Sequence, residues 1–161
     1  MLLKIYNGVE ILVDDEDVDR ILAILKKGCE WVYNHRTGGV TGLCIINGKE
    51  KRVFLHRVIM NCHDISLDVD HIFHNRIDFR KSELRVCTPQ QNTWNRGISK
   101  NNTSGITGVD WRKSRKKWRA SMERDGKFIS LGSFTNKEDA VKARKDAEIK
   151  FQGEYRFKEK Q

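Results

Sequence analysis

The side chains best suited to chemistry lie between residues 67 and 96. Asp70 and His71 are adjacent at the end of a stretch whose apolar residues alternate, Leu67 with Val69. Asn92 and Asn95 follow, three residues apart, the spacing that places two side chains on one helix face. Carboxylates and carboxamides are hard oxygen donors of the kind a divalent cation takes. An imidazole beside them can accept a proton from water near neutral pH. A cation held there would polarise a phosphate and stabilise charge on a leaving oxygen. The set therefore suits hydrolysis of a phosphodiester. An isolated Asp-His pair is common; the whole set within thirty or so residues is what points to a site.

The elements that must position these groups are legible around them. Residues 67–72 read as a strand and residues 84–87 as a second one, joined by a polar loop through His74, Asn75, Asp78 and Arg80. Thr88-Pro89-Gln90-Gln91 opens a helix, with Thr as N-cap, Pro at the first helical position and Gln closing a capping box. The unit is strand, loop, strand, helix. Upstream, residues 1–13 read as a strand pair around Asn7-Gly8. Asp14-Asp15-Glu16-Asp17 reads as the acidic first turn of a helix whose apolar face is Val18, Ile21, Leu22 and Leu25. Strands are expected at 30–35, 40–47 and 51–55, with turns at Gly38-Gly39 and Asn47-Gly48, then a short helix over 56–61. His35, His56 and His63 have no partner at metal-ligand spacing and read as fold residues.

Charge separates the rest of the chain from this part. The protein has 161 residues and a formal charge of +9. Residues 97–161 carry 17 Lys and Arg against 9 Asp and Glu, whereas residues 1–96 carry 14 against 13. A basic module joined to a near-neutral one suggests a polyanion partner. Residues 97–104, polar and turn-rich, read as the linker. Beyond it, Val109 and Trp111, then Trp118, Ala120 and Met122, then Ile129 and Leu131 recur with period two, giving three antiparallel strands. Thr135-Asn136-Lys137-Glu138 has capping-box spacing, and Ala140, Ala143, Ala147 and Phe151 form one narrow helix face, with Gly153 as the stop. The expected class is α+β.

Two resemblances follow from the motifs. Asp70-His71-Ile72-Phe73-His74-Asn75-Arg76-Ile77-Asp78, Leu84-Arg85-Val86-Cys87-Thr88 and Gln91-Asn92-Thr93-Trp94-Asn95-Arg96 resemble the HNH motif of phage and intron homing endonucleases, in its zinc-free form. Val13-Asp14-Asp15-Glu16-Asp17 and Leu55-His56-Arg57 are similar to segments those proteins carry upstream. The resemblance implies a ββα-metal fold with its core at 66–96 inside a nuclease domain at 1–96. It implies His71 as general base, and Asp70 and Asn92 as ligands of one divalent cation, Mg²⁺ first and Mn²⁺ second, with no zinc. Glu83 and Asn95 would support the motif. Glu83 stands where the family usually has Asn, and Phe79 also departs from a preferred Asn.

Gly108-Val109-Asp110-Trp111-Arg112, Lys117-Trp118-Arg119-Ala120, Gly126-Lys127, Leu131-Gly132-Ser133-Phe134 and Glu138-Asp139-Ala140 resemble the Apetala-2/ethylene-response-factor DNA-binding domain, over about residues 105–157. That domain has a three-stranded sheet with a helix on one face and its other face in the DNA major groove. Alternation puts Val109, Trp111, Trp118, Ala120, Met122, Ile129 and Leu131 toward the helix. Arg112, Lys117, Arg119, Ser121 and Ser130 then face the groove, with Arg115 and Lys116 in the turn and Arg96 upstream. Arg112 and Arg119 are the candidate base readers, because arginine reads guanine bidentately. Asp110 falls where the plant domains often have Arg. His74 is a candidate accessory contact.

The joint expectation is a site-specific, metal-dependent DNA endonuclease. The alternative is a DNA-binding regulator with an impaired nuclease domain; charge alone also admits RNA. Duplex DNA is the expected partner, the chain acting in the cytoplasm as a monomer that nicks, or as two chains assembled on DNA. No 18-residue apolar run and no basic-then-apolar leader occur in the sequence, which argues against a membrane span. The cysteines at 29, 44, 62 and 87 show no C-x-x-C spacing and read as reduced, partly buried thiols.

Overall fold

The computed structural model describes residues 1–25, 28–36, 38–46 and 48–158. Asn47 of the expected Asn47-Gly48 turn lies outside the described residues. The fold is mixed α+β with several small antiparallel sheets. It divides into two compact units, residues 1–92 together with Lys158, and residues 93–157.

In the first unit, β1 (Leu2–Lys4) and β2 (Glu10–Leu12) form the expected hairpin, turned at Gly8 with φ 80°. Helix α1 (Asp15–Leu25) buries Ile21. Its acidic start does more than complement the helix dipole. Asp14 Oδ2 accepts the Lys81 backbone N–H at 2.8 Å, and the Lys81 ammonium pairs with Glu16 and Asp17. The acidic turn thus anchors the loop that precedes the second strand of the candidate site.

Strands β3 (Glu30–Asn34), β4 (Gly39–Ile46) and β5 (Lys49–Phe54) form a meander. Trp31 is fully buried opposite Gly42, where an added Cβ would sit 3.2 Å from the indole; the missing side chain makes room for the ring. The same register sets Cys29 against Cys44, Cα atoms 4.7 Å apart, and the two form a disulfide. This corrects the expectation of four free thiols; Cys62 and Cys87 are free and buried. Helix α2 (Leu55–Ile59) follows. Strands β6 (Asp68–His71) and β7 (Leu84–Cys87) pair antiparallel, and α3 (Pro89–Trp94) begins directly after them. The core gathers Ile11, Ile21, Trp31, Leu55, Phe79 and Leu84. Full burial of a ring such as Phe79 contributes roughly 2–3 kcal/mol.

In the second unit, residues 97–108 hold turns, among them one where Asn102 Oδ1 accepts the Gly105 N–H at 2.7 Å. Strands β8 (Val109–Arg112), β9 (Lys117–Arg124) and β10 (Lys127–Phe134) lie in the order β10-β9-β8, packed against α4 (Lys137–Gln152). Ala140 and Ala147 are buried, so the helix can lie close to the strands. Arg144 is buried as well, a residue the alanine stripe did not disclose. Its Nη1 donates to Ser121 O at 2.8 Å and its Nε to Glu148 at 2.7 Å, which satisfies a charge that burial would otherwise penalise. Gly108, at φ 76°, lies against both, with room for no side chain: a Cβ would stand 2.2 Å from Ser121 O.

Two expectations are corrected here. Trp111 is 42% exposed, its ring tilted 58° against that of Trp118 with centroids 5.3 Å apart. Helix α4 starts one residue late, with Asn136 as N-cap and no side-chain cap bond, so the Thr135 capping box does not form. A β-bulge between Ser130 and Gly132 shifts the register, which turns Ser133 to the outer face opposite Arg119. Gly153 ends α4 as expected, at φ 53°.

Candidate active site and nucleic-acid interface

The β6–β7–α3 unit is built by local rules. Register pairs Asp68 with Cys87, Asp70 with Arg85 and His71 with Leu84. The helix start is capped in both directions: Thr88 N–H donates to Gln91 Oε1 at 2.8 Å and Gln91 N–H to Thr88 Oγ1 at 3.2 Å. That cap fixes where Asn92 points. Its Nδ2 donates to Asp68 Oδ2 at 2.9 Å. The amide orientation this bond sets leaves Oδ1 with no protein partner among the described residues.

Asp70 is buried and accepts two hydrogen bonds at Oδ2 from Arg85, from Nη2 at 2.8 Å and Nε at 3.1 Å. Strand alternation puts Asp68 and Asp70 on one face and His71 on the other. Asp70 and Asn92, the two expected cation ligands, are thus each held by a partner that sequence reasoning had not assigned, Arg85 and Asp68. Asp68 is the oxygen donor that reasoning missed. Its period-two relation to Asp70 was the available signal.

His71 sits against two rings. Phe79 meets it edge-on at 5.1 Å between centroids, and His56 from α2 at 6.0 Å. Phe79 is therefore a packing partner of the imidazole. Burial, and then the neighbouring His56, hold the His71 pKa down to about 4. Burial, and then Arg57, likewise lower His56 to about 4. Both rings are neutral at pH 7, so His71 is in the proton-accepting form. His56, read from sequence as a fold residue, packs against His71; the fourteen intervening residues hid that. Its Nδ1 is buried with no hydrogen-bond partner among the described residues.

The remaining motif residues are distributed as follows. Glu83 ends a 3-10 turn at Lys81–Glu83, with Oε1 3.9 Å from Arg80, which is itself bidentate to the buried Asp78. Asn95 is buried and belongs to the second unit. His74, at φ 62°, and Arg96 are exposed. Burial, and then Asp70, push the Cys87 thiol up to about 11, so it is protonated at neutral pH and a poor soft-metal ligand. Among the described residues no group of three His, Cys, Asp or Glu has metal-binding geometry. Asp68, Asp70 and Asn92 offer oxygen donors, a chemistry that fits Mg²⁺ or Mn²⁺.

On the second unit, register joins Arg112 with Lys117 and Asp110 with Arg119 on the sheet face away from α4. Ser130 and Ser133 are exposed on the same face. Arg115 and Lys116 are exposed in the β8–β9 turn, where Lys116 has φ 49°. Ser121 does not join this exposed set. It is 6% exposed and its N–H donates to Gly108 O at 2.8 Å, because the chain entering β8 folds over it. Phe128 is 61% exposed and lies under the Arg119 guanidinium, 5.2 Å from carbon to centroid.

Two known proteins are similar to parts of the chain. One is Protein 3.8 of Escherichia phage T7, 39% identical over 59 residues, which is 37% of this chain and 49% of that protein. The other is an uncharacterized HNH endonuclease of Acanthamoeba polyphaga mimivirus, 33% identical over 73 residues, which is 45% of this chain and 36% of that protein. The similarity thus spans half or less of the curated relatives' own length. No protein-family model and no solved structure matches the chain. No described helix is long and apolar enough to cross a membrane.

Proposed function

We propose that the first unit is a metal-dependent DNA endonuclease of the HNH type, with β6, β7 and α3 as its ββα-metal core, and that the second unit binds double-stranded DNA. The observation that carries this reading is a desolvated, neutral imidazole, His71, next in the same short strand to Asp70, whose strand face also carries Asp68 with its bond to Asn92. The distant similarity to a protein named as an HNH endonuclease supports it.

The residues divide the work. His71 takes the proton from the attacking water. Asp70 and Asn92 Oδ1 hold one divalent cation, with Asp68 fixing the Asn92 amide. When bound, the cation polarises the scissile phosphate and stabilises charge on the departing oxygen. Arg85 pairs with Asp70 at 2.8 Å and fixes where its carboxylate points. Phe79 and His56 clamp the imidazole. Exposed Arg112, Lys117, Arg115 and Lys116 face the duplex, arginines toward bases and lysines toward phosphates.

The test is nicking of supercoiled phage or bacterial DNA with Mg²⁺, with Mn²⁺ and with chelator. Discrete cuts are expected with either metal and none with chelator. Duplex binding is expected to weaken steeply with salt, by about 10³-fold between 50 and 200 mM if some six phosphates are neutralised. A salt-independent association would contradict the phosphate contacts. Asp68→Ala is expected to lower Mn²⁺ affinity, read by calorimetry, roughly 10–100-fold, the usual cost of losing a group that orients a ligand. Unchanged affinity would remove Asp68 from the site.

A second reading rests on Glu83. It is an acceptor without an amide donor at the motif's middle position, and its carboxylate lies near Arg80. On that reading the chain is a sequence-selective DNA-binding regulator with an impaired nuclease unit. Selective binding without scission under any divalent metal would favour it.

A further inference from the structure

The outer face of the C-terminal sheet carries an ion-pair arrangement that a merely basic surface does not require. Asp110 Oδ1 accepts two bonds from Arg119, from Nε at 3.0 Å and Nη2 at 2.8 Å. Its Oδ2 pairs with Arg112 Nε at 2.9 Å. One carboxylate on β8 thus holds two arginines, one from β9 directly opposite and one two residues along its own strand. The Arg119 plane is held a second time by Phe128.

The donor arithmetic is specific. A guanidinium has five N–H donors. Arg112 meets Asp110 as an ion pair through Nε, so both terminal nitrogens stay available. Arg119 gives Nε–H and one Nη2–H, and keeps its Nη1 pair and the second Nη2–H. Each arginine therefore retains the end-on fork that matches guanine O6 and N7. An exposed arginine otherwise samples many rotamers and must be ordered on binding. A negative charge set beneath two cations also weakens their sequence-independent pull on phosphates. Such an arrangement sacrifices general affinity for direction.

We propose that Asp110 is a specificity-determining residue: it braces Arg112 and Arg119 as a fixed pair of guanine readers in the major groove. This rests on the reading that this sheet face binds duplex DNA. Asp110 acts through the two arginines and is a positioning residue.

The test is selection from a randomised duplex pool with the full chain, comparing wild type, Asp110→Ser, Asp110→Asn and Arg119→Ala. Asp110 is half-exposed at a strand position, and a thermal melt of each variant checks folding. Wild type is expected to enrich a motif containing guanines. Both Asp110 variants should lose about tenfold preference at the positions that Arg119→Ala also loses. Their affinity for unselected duplex should hold or rise, an outcome that simple damage to the sheet would not give. An unchanged motif in both Asp110 variants overturns the inference and leaves DNA binding standing. Loss at positions other than those of Arg119→Ala overturns the brace and makes Asp110 a direct reader. Failure of wild type to retain any duplex overturns the DNA reading and this inference with it.

Discussion

On the proposed reading, His71→Ala is expected to lower metal-dependent strand scission by about 10²–10⁴-fold and to leave duplex binding at the wild-type level. The size is that of a lost general base, which contributes typically this factor. The direction follows from the site. Burial holds the imidazole pKa down to about 4, so the ring is neutral and able to accept a proton throughout the neutral range. Alanine at this strand position removes the acceptor without touching Asp70, Asn92 or the exposed arginines of the second unit. The measurement is initial nicking rate on supercoiled DNA at saturating Mg²⁺, alongside a gel shift in chelator. Equal rates for wild type and variant would refute His71 as the base. A rate that falls together with binding would point instead to a collapsed first unit, so a denaturation curve accompanies each variant. His71→Gln separates the two cases: it keeps polar bulk against Phe79 and His56, and it cannot act as a base.

Local rules made much of this site readable from the sequence, and long-range register accounts for what they missed. The alternation of Leu67, Val69 and the apolar residues of 84–87 located β6 and β7, and the Thr88–Gln91 spacing located a helix start whose two reciprocal bonds are both formed. Those signals need only neighbours in sequence. The same spacing at Thr135 gave no cap, since Asn136 takes the N-cap position one residue later. The Cys29–Cys44 bond depends on a pairing of β3 with β4 that is itself set by Trp31 settling over Gly42. Spacing between cysteines carries none of that. Arg85 opposite Asp70 and His56 against His71 are likewise consequences of register and of α2 packing on the strands. Phe79 illustrates the point from the other side. As a residue type it departs from the HNH pattern that the motif resembles, whereas in the fold it is a fully buried wall of the imidazole.

That wall has a thermodynamic consequence for the whole first unit, and it supplies the second large effect. His56 and His71 are both held near pKa 4 in the folded protein, against 6.5 for the ordinary side chain. A lowered pKa means the folded state resists the proton that the unfolded chain accepts. Between pH 6.5 and pH 4 the unfolded state binds more protons, so stability rises with pH across that window. The contribution is fully present above about pH 6.5 and lost as the pH falls toward 4. Each histidine is worth up to about 3 kcal/mol over the window, a large share of the 5–15 kcal/mol typical of a domain. Urea denaturation of wild type from pH 7.5 to 4 should therefore show a falling midpoint, steepest below 6. His56→Phe isolates the cause. It keeps a ring between Phe54 and His71, deletes the buried unpartnered Nδ1 and cannot take a proton. Its stability at pH 7.5 should match or exceed wild type, because an unsatisfied buried polar atom is removed. Its slope against pH should be about half as steep below 6, with His71 alone left to titrate. Superimposable wild-type and variant slopes would show that carboxylates govern the acid transition and that the two imidazoles are not held neutral by burial. A flattened slope with His56→Phe, and a further flattening on adding His71→Gln, ties the same desolvation to acid sensitivity of the fold and to the proton-accepting state of the base.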